Sequence, residues 1–190
     1  MARDFVTLVS GVPRSGTSLM MQMLGAGGFP LLTDGLREPD EHNPRGYFEF
    51  EAAKRTLRDT SWLAQALGRA VKLVHALVAS LPDAYPYRVI LLRRPLGQVV
   101  ASQRAMLARF GGVEGVLPDA RLSEIFAAQL ADLERWAEGQ PRVTLLGVET
   151  ERLVADPAAV ASEVAAFLGG ELDEAAMAGA YEPSLWHQRD

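Results

Sequence analysis

Residues 5–24, FVTLVSGVPRSGTSLMMQML, decide the fold. The stretch begins with an apolar, β-branched run typical of a buried strand, continues through a turn rich in glycine and serine, and ends with apolar residues at helical spacing. A strand, a glycine loop and a helix in this order form a phosphate cradle, because the loop amides, the first helical N–H groups and the positive end of the helix dipole all point at one anion. We therefore predict an anion site in this loop.

The loop differs from the usual nucleotide-triphosphate loop in its cation. The spacing of Gly11 and Gly16 matches the start of G-x-x-x-x-G-K-[ST], but Thr17 stands in the position of the lysine, which normally reaches the β and γ phosphates, usually together with Mg²⁺. The backbone can still hold a phosphate, whereas ordinary triphosphate chemistry is disfavoured. A plain glycine turn is the alternative interpretation. Against it, the loop offers more side-chain donors than a turn requires: Arg14, Ser15, Thr17 and Ser18.

The composition predicts one globular domain over residues 1–190, with 48% apolar and 23% charged residues. The formal net charge of −5 disfavours general nucleic-acid binding, and no apolar run reaches the roughly 18 residues of a membrane helix. The absence of cysteine excludes disulfides, a thiolate nucleophile and a cysteine zinc site. Because the first strand follows residues 1–4 directly and leaves no room for a signal peptide, we expect a cytoplasmic protein that binds neither nucleic acid nor membranes.

Strands and helices alternate along the chain. Continuous apolar runs predict three further strands, at 70–74, 87–92 and 143–148. Helical spacing predicts helices at 50–68, 95–109, 122–136 and 157–167, and residues 29–48 form a long loop. This order indicates an α/β fold with a central parallel sheet. Ligands of such sheets bind beyond the carboxyl ends of the strands, so the loop at 11–17, His75 and Arg93–Arg94 should converge.

Three blocks of sequence resemble a known family. The loop GVPRSGTSLM at 11–20 resembles the P-[KR]-[ST]-G-[ST]-[ST] loop of sulfotransferases that use 3′-phosphoadenosine 5′-phosphosulfate (PAPS), and looks closest to tyrosylprotein and small bacterial members. RRPLGQVVAS at 93–102 and VETERLVADP at 148–157, followed by FLG at 167–169, resemble two later family motifs. Glu149 and Thr150 depart from the family's Arg and Tyr, and we assign that last block no chemistry. The resemblance implies a three-layer fold of the P-loop NTPase type, with helices on both faces of the sheet.

The resemblance also implies how PAPS is held. Its 5′-phosphosulfate would lie on the loop, on Pro13, Arg14, Ser15, Gly16, Thr17 and Ser18. Arg94 and Ser102 match the family's 3′-phosphate motif, an arginine after a strand and a serine two turns into the next helix. A guanidinium gives fork-like hydrogen bonds to phosphate, and a serine hydroxyl adds a neutral donor. Arg93 either assists Arg94 or pairs with a carboxylate. Arg14 and the loop amides would stabilise the departing phosphate, so no metal is expected.

Several residues are candidates for the remaining catalytic roles. Lys72 and His75 resemble the family's K-x-H pair, with one extra residue between them. Lys72 either hydrogen-bonds the transferring oxygens or extends to solvent, and His75 is either the base or an ordinary structural histidine. Other family members use a glutamate from the loop after the first helix, which here is Glu49 or Glu51. We favour Glu49, because neighbouring aromatic residues predict a raised pKa. His42 is a third choice.

The predicted function is metal-independent, in-line transfer of a sulfuryl group from PAPS to a hydroxyl or amine. Two alternatives stay open, and they make different predictions. A P-loop kinase or nucleotide hydrolase with an altered loop would bind ATP with Mg²⁺. A non-catalytic nucleotide-binding protein of the same fold would bind without turnover. The acceptor pocket is expected in the loops at 29–48 and 110–120.

Overall fold

The computed structural model describes residues 3–38, 45–109 and 117–183, so that His42 lies outside the described residues. Four parallel strands form its sheet, in the spatial order β2-β1-β3-β4. They are β1 Val6–Gly11, β2 Ala70–Lys72, β3 Tyr87–Arg93 and β4 Val143–Glu149. The two segments that the sequence marked most strongly as buried strands thus become the adjacent central strands β1 and β3.

Both faces of the central strands are buried, which is why their sequences are apolar without alternation. All six residues of β1 are buried. Successive side chains point to opposite faces. Val9 and Ile90 therefore pack into one core, while Leu8 and Val89 pack into the other. Two cores on the two faces of one sheet require a layer of helices on each side.

The helices form those two layers. They are α1 Thr17–Ala26, α2 Leu63–Ala66, α3 His75–Val78, α4 Leu96–Arg109, α5 Asp119–Glu138, α6 Thr150–Ala155, α7 Pro157–Phe167 and α8 Glu174–Gly179. Helices α1, α7 and α8 cover one face of the sheet, and α2, α3 and α5 cover the other. The prediction of a three-layer α/β fold with a parallel sheet is confirmed. Within the described ranges, no helix is long and apolar enough to cross a membrane.

One predicted helix differs from the structure, and helix α6 was not predicted. The helix expected over 50–68 is instead a 3₁₀ helix at Glu51–Arg55, a turn, and the short α2. At the turn, the backbone N–H of Ser61 donates to the Asp59 carboxylate at 2.8 Å, and this local hydrogen bond competes with the helical pattern. The sequence analysis also missed α6. It is separated from α7 by Asp156, which accepts a hydrogen bond from the backbone N–H of Ala159 at 3.0 Å and caps α7.

Candidate functional site

The loop between β1 and α1 presents backbone N–H groups at the carboxyl end of the sheet. Gly16 occupies the N-cap of α1 in the left-handed conformation, with a φ of 92°. Because glycine has no side chain to cap the helix, the first N–H groups of α1 stay available to an anion. At the other end of the loop, a Cβ at Gly11 would lie 2.8 Å from the carbonyl oxygen of Leu92. Gly11 therefore lets the loop pack directly against β3.

The structure brings Arg14, Arg94 and Ser102 together beside this loop. Arg14 Nε donates to Ser102 Oγ at 3.0 Å, and Arg94 Nη1 donates to the backbone carbonyl of Arg14 at 3.1 Å. Arg94 Nε also donates to the side-chain oxygen of Gln98, one helical turn further on, at 3.1 Å. All three sequence-predicted residues line one cleft together with the loop. The two predicted anion sites are therefore contiguous, although the ligand roles of these residues stay predictions.

Lys72 lies on the opposite flank of the loop. Its ammonium donates to Ser18 Oγ at 3.1 Å and to the backbone carbonyl of Tyr47 at 3.0 Å. The Lys72 side chain is 20% exposed, so it does not extend to solvent from the end of β2. The side chain ends beside the start of α1, where an anion held by the loop would lie.

The cations around the loop repel one another. Burial lowers the pKa of Arg94, and the charge of Arg14 lowers it further. Burial lowers the pKa of Lys72 to about 8, with Arg37 and Arg14 adding to the effect and Glu49 opposing it. Desolvation and like charge both disfavour a protonated amine. A bound anion would offset both, so the cleft has the electrostatics of an anion site.

Glu49 also lines the cleft, but its environment differs from the prediction. Its carboxylate lies 2.8 Å from Arg37 and from Lys54, and 4.0 Å from Lys72. Burial alone would raise the pKa of Glu49, but Lys54, Lys72 and Arg37 outweigh burial and lower it. The predicted raised pKa is therefore wrong. Glu51 also pairs with Lys54, at 2.9 Å, and does not line the cleft.

His75 lies beneath the loop instead of in the cleft. The residue is only 4% exposed, and its ring contacts Phe126 edge-on. Its Nδ1 lies 3.3 Å from the carbonyl oxygen of Gly11, and its Nε2 lies 2.7 Å from the side-chain oxygen of Gln129. Both ring nitrogens thus have protein partners. The structure does not favour His75 as the base, because this histidine joins α5 to Gly11, where β1 ends and the loop begins.

The side chains of Arg93 and Arg94 lie in different places. Arg93 pairs with Glu134 of α5 at 2.7 Å and with Glu149 at 3.5 Å, and it does not line the cleft. Its guanidinium lies over Gly147, where a Cβ would come 2.9 Å from Arg93 Cζ. Of the two alternatives for Arg93, the structure shows the carboxylate pair. Assigning Arg93 to cofactor binding is therefore not supported by its position.

The rim of the cleft contains arginines that the sequence analysis did not single out. The Arg37 guanidinium stacks over the Tyr47 ring at 3.3 Å from its centroid. The Arg45 guanidinium donates to the carbonyl of Ala180 at 2.6 Å and to the carboxylate of Glu182. Arg45 thereby joins the loop before the 3₁₀ helix to the segment after α8. Their partners are distant in sequence, so no local pattern identified either arginine.

Thr150 is a further residue that the sequence analysis missed. It is fully buried at the start of α6, and its Oγ1 lies 2.8 Å from the carbonyl oxygens of both Ser15 and Arg93. One hydroxyl thus contacts both the loop between β1 and α1 and the residue that precedes Arg94. The sequence showed only that Thr150 replaces the tyrosine of the family motif, whereas the structure shows what Thr150 contacts. Thr150 thus fixes the position of the loop relative to the end of β3.

Replacing Thr150 by valine should destabilise the fold. Valine keeps the volume of threonine but removes the donor shared by two backbone carbonyls, which should cost about 1–3 kcal/mol. Urea unfolding followed by circular dichroism measures this free energy. Thr7→Val is the matched control, because Thr7 is equally buried and its Oγ1 has no partner among the described residues. Equal unfolding free energies for the two variants would contradict the role of Thr150.

Comparison with known proteins defines the fold. No protein-family model and no curated protein matches the sequence. The sulfotransferase domain of the Synechococcus PCC 7002 olefin synthase matches with a TM-score of 0.56 and 18% identity, over 97% of this chain and 79% of that one. A sulfotransferase from Alicyclobacillus acidocaldarius matches with a TM-score of 0.56 and 19% identity, over 97% of this chain and 89% of that one.

A third structure was solved with ligands. Retinol dehydratase in complex with androsterone and the inactive cofactor PAP matches with a TM-score of 0.52 and 19% identity, over 95% of this chain and 64% of that one. At these identities the likeness concerns the fold. The chain has the sulfotransferase fold, and the loop between β1 and α1, Arg94 and Lys72 line one cleft.

Proposed function

We propose that the chain is a PAPS-dependent sulfotransferase that transfers a sulfuryl group to a hydroxyl or amine without a metal. One observation carries the proposal: Arg14, Lys72 and Arg94 converge on one cleft around the loop, where the charge of Arg14 lowers the pKa of each of the other two. Such a cluster suits a ligand with two anionic groups. The likeness to sulfotransferases, one of them described with the inactive cofactor PAP, supports PAPS over other nucleotides.

The residues present fit this cofactor at both of its anionic ends. The loop at 13–18 would hold the 5′-phosphosulfate through backbone N–H groups and the hydroxyls of Thr17 and Ser18. Arg94 and Ser102 would hold the 3′-phosphate. Arg14 contacts both of these residues, through its backbone and its side chain respectively, and would face either anionic group. When bound, PAPS supplies the sulfuryl group: the bond from sulfur to the phosphate oxygen breaks, a bond from the acceptor oxygen or nitrogen forms, and adenosine 3′,5′-bisphosphate leaves.

Glu49 and Lys72 would assist at the reacting end. The position of Glu49 supports its role as the base, because its carboxylate lines the cleft and is ionised near neutrality, so that it can take the proton of the acceptor hydroxyl. Its lowered pKa makes it a weaker base than the sequence predicted. Lys72, whose ammonium lies 4.0 Å from Glu49 and 3.1 Å from Ser18 Oγ, would donate a hydrogen bond to the developing negative charge. The two side chains thus have opposite charges and separate roles at one end of the loop.

Transfer of labelled sulfate from PAPS to a panel of phenols, aliphatic alcohols, sugars and amines tests the proposal. We expect transfer that is unchanged by a chelator, together with no hydrolysis of ATP in the presence of Mg²⁺. Mg²⁺-dependent turnover of ATP would instead favour the kinase or hydrolase alternative. Binding of adenosine 3′,5′-bisphosphate without transfer to any member of the panel would favour a non-catalytic nucleotide-binding protein.

A further inference from the structure

The cleft has two ends, which lie on opposite sides of the phosphate loop. In the sheet, β1 lies between β2 and β3. The loop that follows β1 therefore lies between the segment that follows β2 and the segment that follows β3. Arg94 and Ser102 follow β3, whereas Leu73, Val74 and Leu77 follow β2. If the proposed function holds, the nucleotide extends from the loop toward Arg94. The transferred group then faces the β2 end, which is where an acceptor must enter.

The β2 end of the cleft is lined by apolar side chains. Val74 is 41% exposed, although its side chain is aliphatic. Leu77 of α3 and Phe50, which precedes the 3₁₀ helix, are partly exposed and line the cleft with it. Ala53 and Leu73 also line the cleft, and both are buried in the core on that face of the sheet. The apolar wall is therefore built on core residues, which hold it in place.

The charged groups at this end are paired with one another. Arg37 and Lys54 each lie 2.8 Å from the Glu49 carboxylate, and Lys54 also pairs with Glu51 at 2.9 Å. An anionic acceptor would have to compete with Glu49 for these cations. A sugar would have to bury several hydroxyl groups against aliphatic side chains, and each unpaired buried hydroxyl is costly.

We propose that the β2 end binds the acceptor, and that the acceptor is a neutral hydroxyl compound with an apolar body. This inference rests on the proposed function and adds the chemical class of the acceptor to it. The apolar body lies against Phe50, Val74 and Leu77, and its hydroxyl points toward Glu49 and the loop. The hydroxyl proton goes to the Glu49 carboxylate as the acceptor oxygen bonds to sulfur.

Val74→Asp tests the inference with little risk to folding. Val74 is the N-cap residue of α3, with φ −64° and ψ 140°, and aspartate is favoured at helix N-caps. The substitution places a charge on the apolar wall and leaves the nucleotide end untouched. Val74→Ile keeps the wall apolar. Leu57→Asp is the surface control, because Leu57 is 74% exposed and does not line the cleft.

The first assay uses 2-naphthol fluorescence to measure the binding of 2-naphthol to each variant saturated with adenosine 3′,5′-bisphosphate. The second assay measures sulfate transfer to 2-naphthol, to glucose and to an acidic tyrosine peptide. We expect 2-naphthol to be the preferred acceptor, and Val74→Asp to weaken its binding by about tenfold or more. Leu57→Asp should match the wild type, and Val74→Ile, which keeps the wall apolar, should lose less than about threefold in 2-naphthol affinity. Val74→Asp adds a negative charge to the anion-binding cleft, so its nucleotide affinity is measured separately and should fall by a smaller factor than its 2-naphthol affinity.

The outcomes separate this inference from the proposed function. Failure to bind the nucleotide would overturn the function and the inference together. Nucleotide binding without 2-naphthol binding, a preference for glucose or the peptide, or an unchanged Val74→Asp variant would overturn the inference alone.

Discussion

Replacing Glu49 by glutamine should slow sulfuryl transfer by about 10²- to 10⁴-fold, the usual contribution of a general base. The amide keeps the shape of the carboxylate, but it has one acceptor oxygen and one NH₂ group. Arg37 and Lys54 lie 2.8 Å from different carboxylate oxygens, so the amide can keep only one of these two hydrogen bonds. It cannot accept the acceptor proton. Because the substitution removes a negative charge from an anion-binding cleft, adenosine 3′,5′-bisphosphate should bind as tightly as before or more tightly. Single-turnover experiments with labelled PAPS measure the rate of transfer, and calorimetry measures the affinity for the nucleotide.

Glu51→Gln is the matched control for this experiment. Glu51 pairs with the same lysine, at 2.9 Å, but does not line the cleft, so its variant should transfer sulfate at nearly the wild-type rate. A Glu49→Gln variant that retained the wild-type rate would exclude Glu49 as the base. Weaker nucleotide binding in that variant, in proportion to its slower rate, would point instead to a structural role for the ion pairs.

Replacing Lys72 by methionine should slow transfer by about 10²- to 10³-fold, the usual effect of removing one preorganised donor from a developing charge. Methionine preserves most of the apolar stem of the lysine and removes the ammonium that donates to Ser18 Oγ at 3.1 Å. The rate should fall by a larger factor than the nucleotide affinity, because the donor acts mainly on charge that develops during the reaction. Equal losses of rate and affinity would show that Lys72 only binds the ground state.

Nucleotide binding should also take up protons near pH 8. In the free protein burial lowers the pKa of Lys72 to about 8, so the amine is about half protonated at that pH. A bound phosphate favours the protonated form and raises the pKa. The affinity for adenosine 3′,5′-bisphosphate should therefore fall as the pH rises above 8. Calorimetry in buffers of different ionisation enthalpy measures the uptake, which should be absent from Lys72→Met; uptake that persists in that variant would belong to another group.

The sequence predicted those parts of the site that depend on local spacing. The apolar runs located β1 and β3, and the glycine spacing located the loop between β1 and α1. Arg94 and Ser102 are eight residues apart across one strand-to-helix turn, so the same local geometry brings both to the cleft.

The parts that the sequence did not predict depend on contacts between distant segments. The cations that lower the pKa of Glu49 include Arg37 and Lys72, on either side of it in the sequence and outside its own element. Arg93 pairs with Glu134, which is 41 residues away. For His75, the extra residue after Lys72 places the ring at the start of α3, under the loop and against α5. Local aromatic content and family spacing were therefore poor guides to all three.

A calorimetric titration of adenosine 3′,5′-bisphosphate tests the central claim that one nucleotide is held by both of its anionic ends, one at the loop between β1 and α1 and the other at Arg94 and Ser102. The account predicts one site with a dissociation constant of about 10 μM or lower. Arg94→Ala should weaken binding by roughly 100-fold, and Arg93→Ala, its neighbour outside the cleft, should weaken it by less than about threefold. Binding no tighter than millimolar, or equal affinities for the Arg94→Ala variant and the wild type, would contradict the account.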